Sequence, residues 1–211
     1  MEMKKYFVRL LLAGVLTANY FLVLSQDTKS VQYDGFYLGM NLGPVWGNCN
    51  GVDNTNARIS VTGTGFNLGF LIGTALETNL IAHASFFVNS ISGPKFNDVK
   101  VDNKIAFDET FLGAGMTQFF SPSNTFISGN IGFGKFTITD NSEGNSNYAV
   151  STEGGFGFQL KAGKEWVISE KWGIGVMAFY SGTYLKSTPT PNIEERWDSS
   201  RYGISFNASF H

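Results

Sequence analysis

His83 and Ser85 flank Ala84, and an imidazole beside a hydroxyl is the smallest pairing of general base and nucleophile. On an extended chain, residues two apart share a face, so a strand here puts both groups on one side. A working pair also needs an acidic group to orient the imidazole, and the sequence identifies none. A hydrogen-bonded pair is the expectation. Glu153, Gln159, Lys161 and Glu165 also share one parity. Their alternating charge fits either a selectivity lining or an internal network of salt bridges and hydrogen bonds, and the network is expected. The two histidines, His83 and His211, are too far apart in sequence to suggest a metal site. Gly154-Gly155-Phe156-Gly157 is no phosphate loop, because no strand-to-helix unit follows. The lone cysteine, Cys49, excludes an intramolecular disulfide. No catalytic, cofactor-binding or metal-binding residue is assigned, and the chain reads as a non-enzyme.

The elements that carry these groups alternate with period two. Phe36, Leu38, Met40 and Leu42 interleave with Tyr37, Gly39, Asn41 and Gly43. Phe66 to Gly73, Phe156 to Gly163, Trp172 to Ser181 and Tyr202 to Phe210 repeat the pattern. The second face is rich in Gly, Asn and Ser, a poor surface for strands in water, because Gly weakens a strand that has nothing to gain from it. Lipid on the apolar face and a narrow lumen on the other account for both. This parity sends His83, Ser85 and Lys161 into the lumen and Leu80, Ala82, Ala84, Phe86 and Val88 to lipid. The strand around Phe107 to Met116 is apolar on both faces, Phe107/Phe111 and Leu112/Met116, so its lipid side stays open, and a bulge could shift its register.

Turns count the strands. Glu77-Thr78-Asn79, Ser121 to Asn124 and Ser169-Glu170-Lys171 are short breaks. Longer polar stretches, Gly47 to Gly63, Ser92 to Asn103, Thr139 to Ala149 and Lys186 to Ser200, lie between them. Three short and four long connections join eight strands, each with the ~9–11 residues a membrane-spanning strand requires. Short turns on one side and long loops on the other are the asymmetry of outer-membrane barrels. The expected fold is all-β: a transmembrane, antiparallel, up-and-down barrel of eight strands. Trp166 and Trp172, Phe119 and Phe120, and Trp46, Tyr184 and Trp197 fall near strand ends, where two aromatic belts belong.

Composition agrees. The 211 residues suit one domain, 25 Gly and 20 Phe suit aromatic strands, and a net charge of −2 gives no reason to expect a nucleic-acid partner. Lys4, Lys5 and Arg9 precede an apolar run, Leu10 to Leu24, of about 15 residues, short of the ~20 that span a bilayer. Val23 and Ser25 suit signal-peptidase cleavage after Ser25. Residues 1–25 are therefore expected to be a signal peptide and 26–211 the barrel.

Arg201-Tyr202-Gly203-Ile204-Ser205-Phe206-Asn207-Ala208-Ser209-Phe210 resembles the C-terminal assembly signal of outer-membrane proteins, departing from it only by His211. Gly154 to Gly157, Leu160 to Trp166 and Lys171 to Gly175 resemble the penultimate hairpin of small OmpA/OmpX-type barrels, and Gly35 to Gly39 resembles their first strand. The resemblance covers about residues 34–211. It implies an integral protein of the bacterial outer membrane, inserted by the barrel-insertion machinery, with outer-membrane lipid as its surroundings. The His83/Ser85 pairing is also faintly similar to that of outer-membrane lipid A deacylases, but their pair faces lipid and this one has lumenal parity. The expected role is structural or surface-interacting (adhesin-like), with four long loops reaching external ligands or host surfaces and the barrel a monomer. The alternative is a narrow pore or carrier for small molecules.

Overall fold

A computed structural model describes residues 33–142 and 148–211, so the expected cleavage site at Ser25 lies outside the described residues. Eight long strands form the wall: β1 (Phe36–Asp53), β2 (Arg58–Glu77), β3 (Leu80–Ser92), β6 (Ile105–Phe120), β7 (Thr125–Asp140), β9 (Gly155–Val167), β10 (Trp172–Thr190) and β11 (Ile193–Phe210). Three short strands decorate the loops: β4 (Lys95–Phe96), β5 (Val99–Lys100) and β8 (Tyr148–Ser151). Neighbours in sequence pair antiparallel around the wall, and β1 pairs with both β2 and β11, closing the barrel. Closure leaves no strand edge along the wall, so every ladder finds its partner inside the protein. Asn supplies the left-handed residue at four wall hairpins: Asn56, Asn79, Asn124 and Asn192 all have positive φ.

The outward face is apolar through the middle of the wall. Leu42, Phe66, Leu112, Ile131, Leu160 and Phe206 are exposed, Phe206 at 69% and Phe133 at 75%. A continuous exposed belt of this kind is a lipid-facing surface. The parity read from the sequence holds on β1, β2, β3, β9, β10 and β11. On β6 the structure settles the side left open: Leu112 and Met116 face lipid, while Phe107 and Phe111 are buried in the lumen. No bulge intervenes, since the β3–β6 and β6–β7 registers run unbroken. Inward glycines let the strands coil tightly. A Cβ at Gly43 would strike the Ile204 carbonyl, and one at Gly65 the Ser90 carbonyl.

Two expected loops are strand instead. Gly47 to Gly63 continues β1 and β2 to a turn at residues 54–57, and Lys186 to Ser200 continues β10 and β11 to a turn at residues 191–192. Past the lipid belt one face meets water, so the apolar alternation that marked the strands below is no longer required. Three side chains lie indoors that the sequence placed elsewhere. Cys49, expected in a loop, is fully buried on the lumenal face. Trp197 and Phe119, expected in the aromatic belts, also point into the lumen. Trp46, Trp172 and Tyr184 keep their outward places.

Candidate functional site

The lumen is filled in three layers. At the end of the short turns, Tyr33, Tyr37, Ile81, Phe119, Phe126 and Met177 form an apolar plug. Tyr33 precedes β1 and stacks on Phe119 with ring centroids 3.9 Å apart, so the incoming chain stoppers the barrel. At the opposite end Cys49, Val61, Phe107, Phe136, Leu185 and Trp197 form a second plug. Burying aromatic area on the inside stabilises each plug much as it would a soluble core.

Between the plugs lies a polar layer centred on Glu109. Its carboxylate accepts from Ser199 Oγ at 2.7 Å and Asn89 Nδ2 at 2.9 Å, and Arg201 Nε approaches Oε2 at 2.9 Å. Asn67 Nδ2 donates to Asn89 Oδ1 at 2.7 Å, and Ser205 Oγ to Asn67 Oδ1 at 3.3 Å, extending the chain across the lumen. The Arg201 guanidinium also lies over the Phe107 ring, 5.3 Å from its centroid. Among the described residues its terminal nitrogens reach no acceptor. The contact to Glu109 is therefore an ion pair without aligned hydrogen bonds. A second buried carboxylate, Glu165, accepts from Tyr33 Oη at 2.8 Å and Asn207 Nδ2 at 3.1 Å.

His83 and Ser85 share the lumenal face as their spacing requires, yet they do not pair. His83 Nε2 lies 2.9 Å from Thr117 Oγ1, which donates to Ser128 Oγ at 2.9 Å. Among the described residues Ser85 Oγ is buried without a partner, so the two groups do not form the hydrogen-bonded pair their spacing allowed. Gln159, Lys161 and Glu165 face the lumen together, whereas Glu153 is exposed ahead of β9. The central pair, Glu109 with Arg201, escaped the reading of site residues from sequence. Glu109 lies between Phe107 and Phe111 on the strand whose two faces could not be told apart. A hollow of about 20 Å³ beside Asn41, Ser128 and Lys161 is room for about one water molecule.

Beyond the belt the wall ends in a rim. β1, β2, β10 and β11 continue there as one sheet, paired through Val52↔Arg58, Asp53↔Glu195 and Ser187↔Glu195. Asn54 N donates to the Glu194 carbonyl at 2.9 Å and Asn54 Nδ2 to the Asn192 carbonyl at 2.7 Å, joining the two hairpin tips. At the first tip Asp53 accepts from Thr55 Oγ1 and from the Ala57 and Thr55 amides, which holds its carboxyl below the usual range. β4 and β5 form a smaller hairpin that adds to the β2 edge.

Comparison places this architecture among solved outer-membrane barrels. The crystal structure of Neisserial surface protein A superposes with a TM-score of 0.53 at 11% identity, over 84% of this chain and 97% of that one. The outer membrane protein OprG from Pseudomonas aeruginosa superposes with a TM-score of 0.52 at 10% identity, over 88% of this chain and 100% of that one. At such identities the likeness is one of fold. No protein-family model matches the chain, and no curated protein matches it in sequence.

Proposed function

We infer that this outer-membrane barrel is a non-conducting, non-enzymatic scaffold that presents its rim sheet to ligands or surfaces outside the cell. The observation that carries the reading is the lumen sealed by two apolar plugs with an ion-paired layer between them. An eight-stranded barrel has an interior just wide enough for side chains to fill, and here they fill it at three levels. Work that cannot pass through the barrel is left to its outer ends. The tied hairpin tips suit that work, because a paired sheet is ordered before it meets a partner and loses little freedom on binding. Cleavage after Ser25, insertion by the barrel-insertion machinery and a monomeric barrel belong to the same proposal. Mass spectrometry of the membrane-bound chain, expected to begin at Gln26, tests the first of these.

Planar-bilayer recording tests the central claim. The purified barrel is expected to give no steady single-channel current. Reproducible conductance steps would replace this reading with a narrow pore. Adhesion of cells displaying the barrel to host-matrix proteins, compared with cells displaying a variant in which residues 50–60 and 187–195 are shortened to tight turns that leave the upper plug intact, tests the rim. Equal adhesion by both would remove the rim from the function.

A further inference from the structure

The outer surface of β11, β1, β2, β4 and β5 changes character from row to row along the strands. Phe206, Leu42 and Leu68 form an apolar row. Farther along the strands, Tyr202, Trp46 and Thr64 form an aromatic row, with the Trp46 and Tyr202 rings stacked at 6.2 Å. The next row reads Ser200, Asn48, Thr62, Lys95 and Lys100. A cleft of about 620 Å³ opens over these last two rows, lined by Trp46, Asn48, Lys95, Lys100 and Tyr202 among others.

Lys95 and Lys100 stand directly opposite each other on the β4–β5 hairpin. Like charges in that relation destabilise a strand pair. Among the described residues neither lysine has an ion-pair or hydrogen-bond partner. The hairpin is nevertheless held in place. The Asn97 amide donates to the Ser60 carbonyl and the Ser60 amide to Asn97 Oδ1, both at 2.8 Å. Phe96 turns inward against the upper plug while Lys95 stays out. The fold thus fixes two unneutralised ammonium groups beside a cleft, next to the aromatic residues that mark a headgroup level.

We propose that this cleft binds the phosphate group of an anionic lipid from the leaflet around it, with Lys95 and Lys100 pairing with the phosphate and the Trp46–Tyr202 stack covering the start of its acyl chains. A lipid is the fitting occupant because the Trp46–Thr64–Tyr202 side of the cleft is followed along the strands by exposed Phe66 and Ile204 and then by the Leu42, Leu68 and Phe206 row, an apolar surface that acyl chains cover and a free anion would not. The proposal does not depend on what the rim sheet recognises.

The test uses the full barrel refolded in phosphatidylcholine vesicles carrying a minority of phosphatidylglycerol, transferred to a mild detergent, with retained lipid identified by native mass spectrometry. Wild type is expected to keep phosphatidylglycerol in preference to phosphatidylcholine. Lys95→Gln/Lys100→Gln should lower that preference roughly tenfold or more, since each lysine near an anionic lipid surface is worth about one factor of five. Lys100→Gln alone should lower it several-fold. Lys104→Gln/Lys186→Gln removes the same charge away from the cleft and should leave the preference intact. Heat-modifiable gel migration confirms that each variant is folded. Equal preference in wild type and the cleft variant, an equal loss in the control pair, or displacement of the lipid by millimolar inorganic phosphate would each overturn the proposal.

Discussion

Arg201 Nε lies 2.9 Å from Glu109 Oε2, joining β11 to β6 across the lumen, with both side chains essentially inaccessible. β6 and β11 are not neighbours in the wall, so the pair ties opposite sides of the barrel. Removing one partner of a buried pair leaves the other charge uncompensated, which costs about 3–5 kcal/mol. Glu109→Ala should therefore lower stability by about that amount in urea unfolding from vesicles. Glu109→Gln/Arg201→Met keeps an acceptor for Ser199 and Asn89 and removes both charges. It should be destabilised by less than Glu109→Gln and Arg201→Met taken singly and added, with a coupling of at least about 1 kcal/mol. Strict additivity would show that the two groups act independently.

Leu160 and Lys161 are adjacent on β9 but face lipid and lumen respectively, at 55% and 6% exposure. Leu160→Arg places a charge in the apolar belt, where the cost is about 2–4 kcal/mol at mid-depth. Lys161→Arg keeps a cation in the lumen and is expected to cost less. Folding yields and unfolding midpoints in vesicles of one lipid measure the difference, and equal effects would reverse the parity of β9.

The lipid face was legible wherever lipid was the only thing burying apolar side chains. Phe36 to Leu42 and Tyr202 to Phe206 alternate cleanly for that reason. β6 was not legible because its apolar residues are buried by two different things. Near the rim Phe107 and Phe111 fill the lumen, while Asp108 and Thr110 face outward; farther down Leu112 and Met116 meet lipid, while Gly113 and Gly115 face in. The apolar character changes sides along an unbroken strand. The short turns were readable from Asn79 and Asn124, whose side chains tolerate left-handed backbone. The extent of the upper hairpins was hidden, since beyond the belt the outward face meets water and the inward face carries Cys49, Val61 and Trp197 interspersed with Gly47, Gly51, Gly63 and Ser199, which breaks the apolar alternation. The Glu109–Arg201 pair was hidden as well, because contact across a lumen follows from closure and shear, which local patterning does not encode.

Trp197 supplies a direct check on the upper plug. Its ring lies 6.3 Å from Phe136, and its indole N–H donates to Glu195 Oε2 at 2.9 Å. Its fluorescence should resist quenching by bromine-labelled acyl chains, while Trp172, 48% exposed in the belt, should be quenched. Single-tryptophan variants, with the other three replaced by Phe, separate the signals. Trp197→Ala should also cost about 3–5 kcal/mol, as removal of a large core side chain does. Efficient quenching of Trp197 would return it to the lipid interface.

Phe210 packs at the end of β11, and the proposed insertion by the barrel machinery gives this ring a second role that can be measured apart from packing. Phe210 stands opposite Leu38 on β1 and Trp172 on β10. Its ring meets Phe36 at 6.4 Å and Trp172 at 5.4 Å, edge to face in both cases. Burying a Phe fully contributes roughly 1.5–3 kcal/mol, and this ring is only partly covered, so Phe210→Ala should lose an amount near the bottom of that range. His211 is less incidental than its position beyond the signal suggested. Its amide donates to the Lys171 carbonyl at 3.1 Å, and its ring lies 4.7 Å from Tyr33 in the lower plug. Deleting His211 should therefore cost about the 0.5–1.5 kcal/mol of a single hydrogen bond. Spontaneous folding into lipid alone would measure these energies for both variants. In cells Phe210→Ala should lose more assembly than its folding energy accounts for, whereas the His211 deletion should lose no more than its energy explains. The excess reports on reading of the terminal aromatic by the insertion machinery. If Phe210→Ala assembles in cells as well as its stability permits, the C-terminal aromatic serves packing alone, and targeting must rest on another part of the chain.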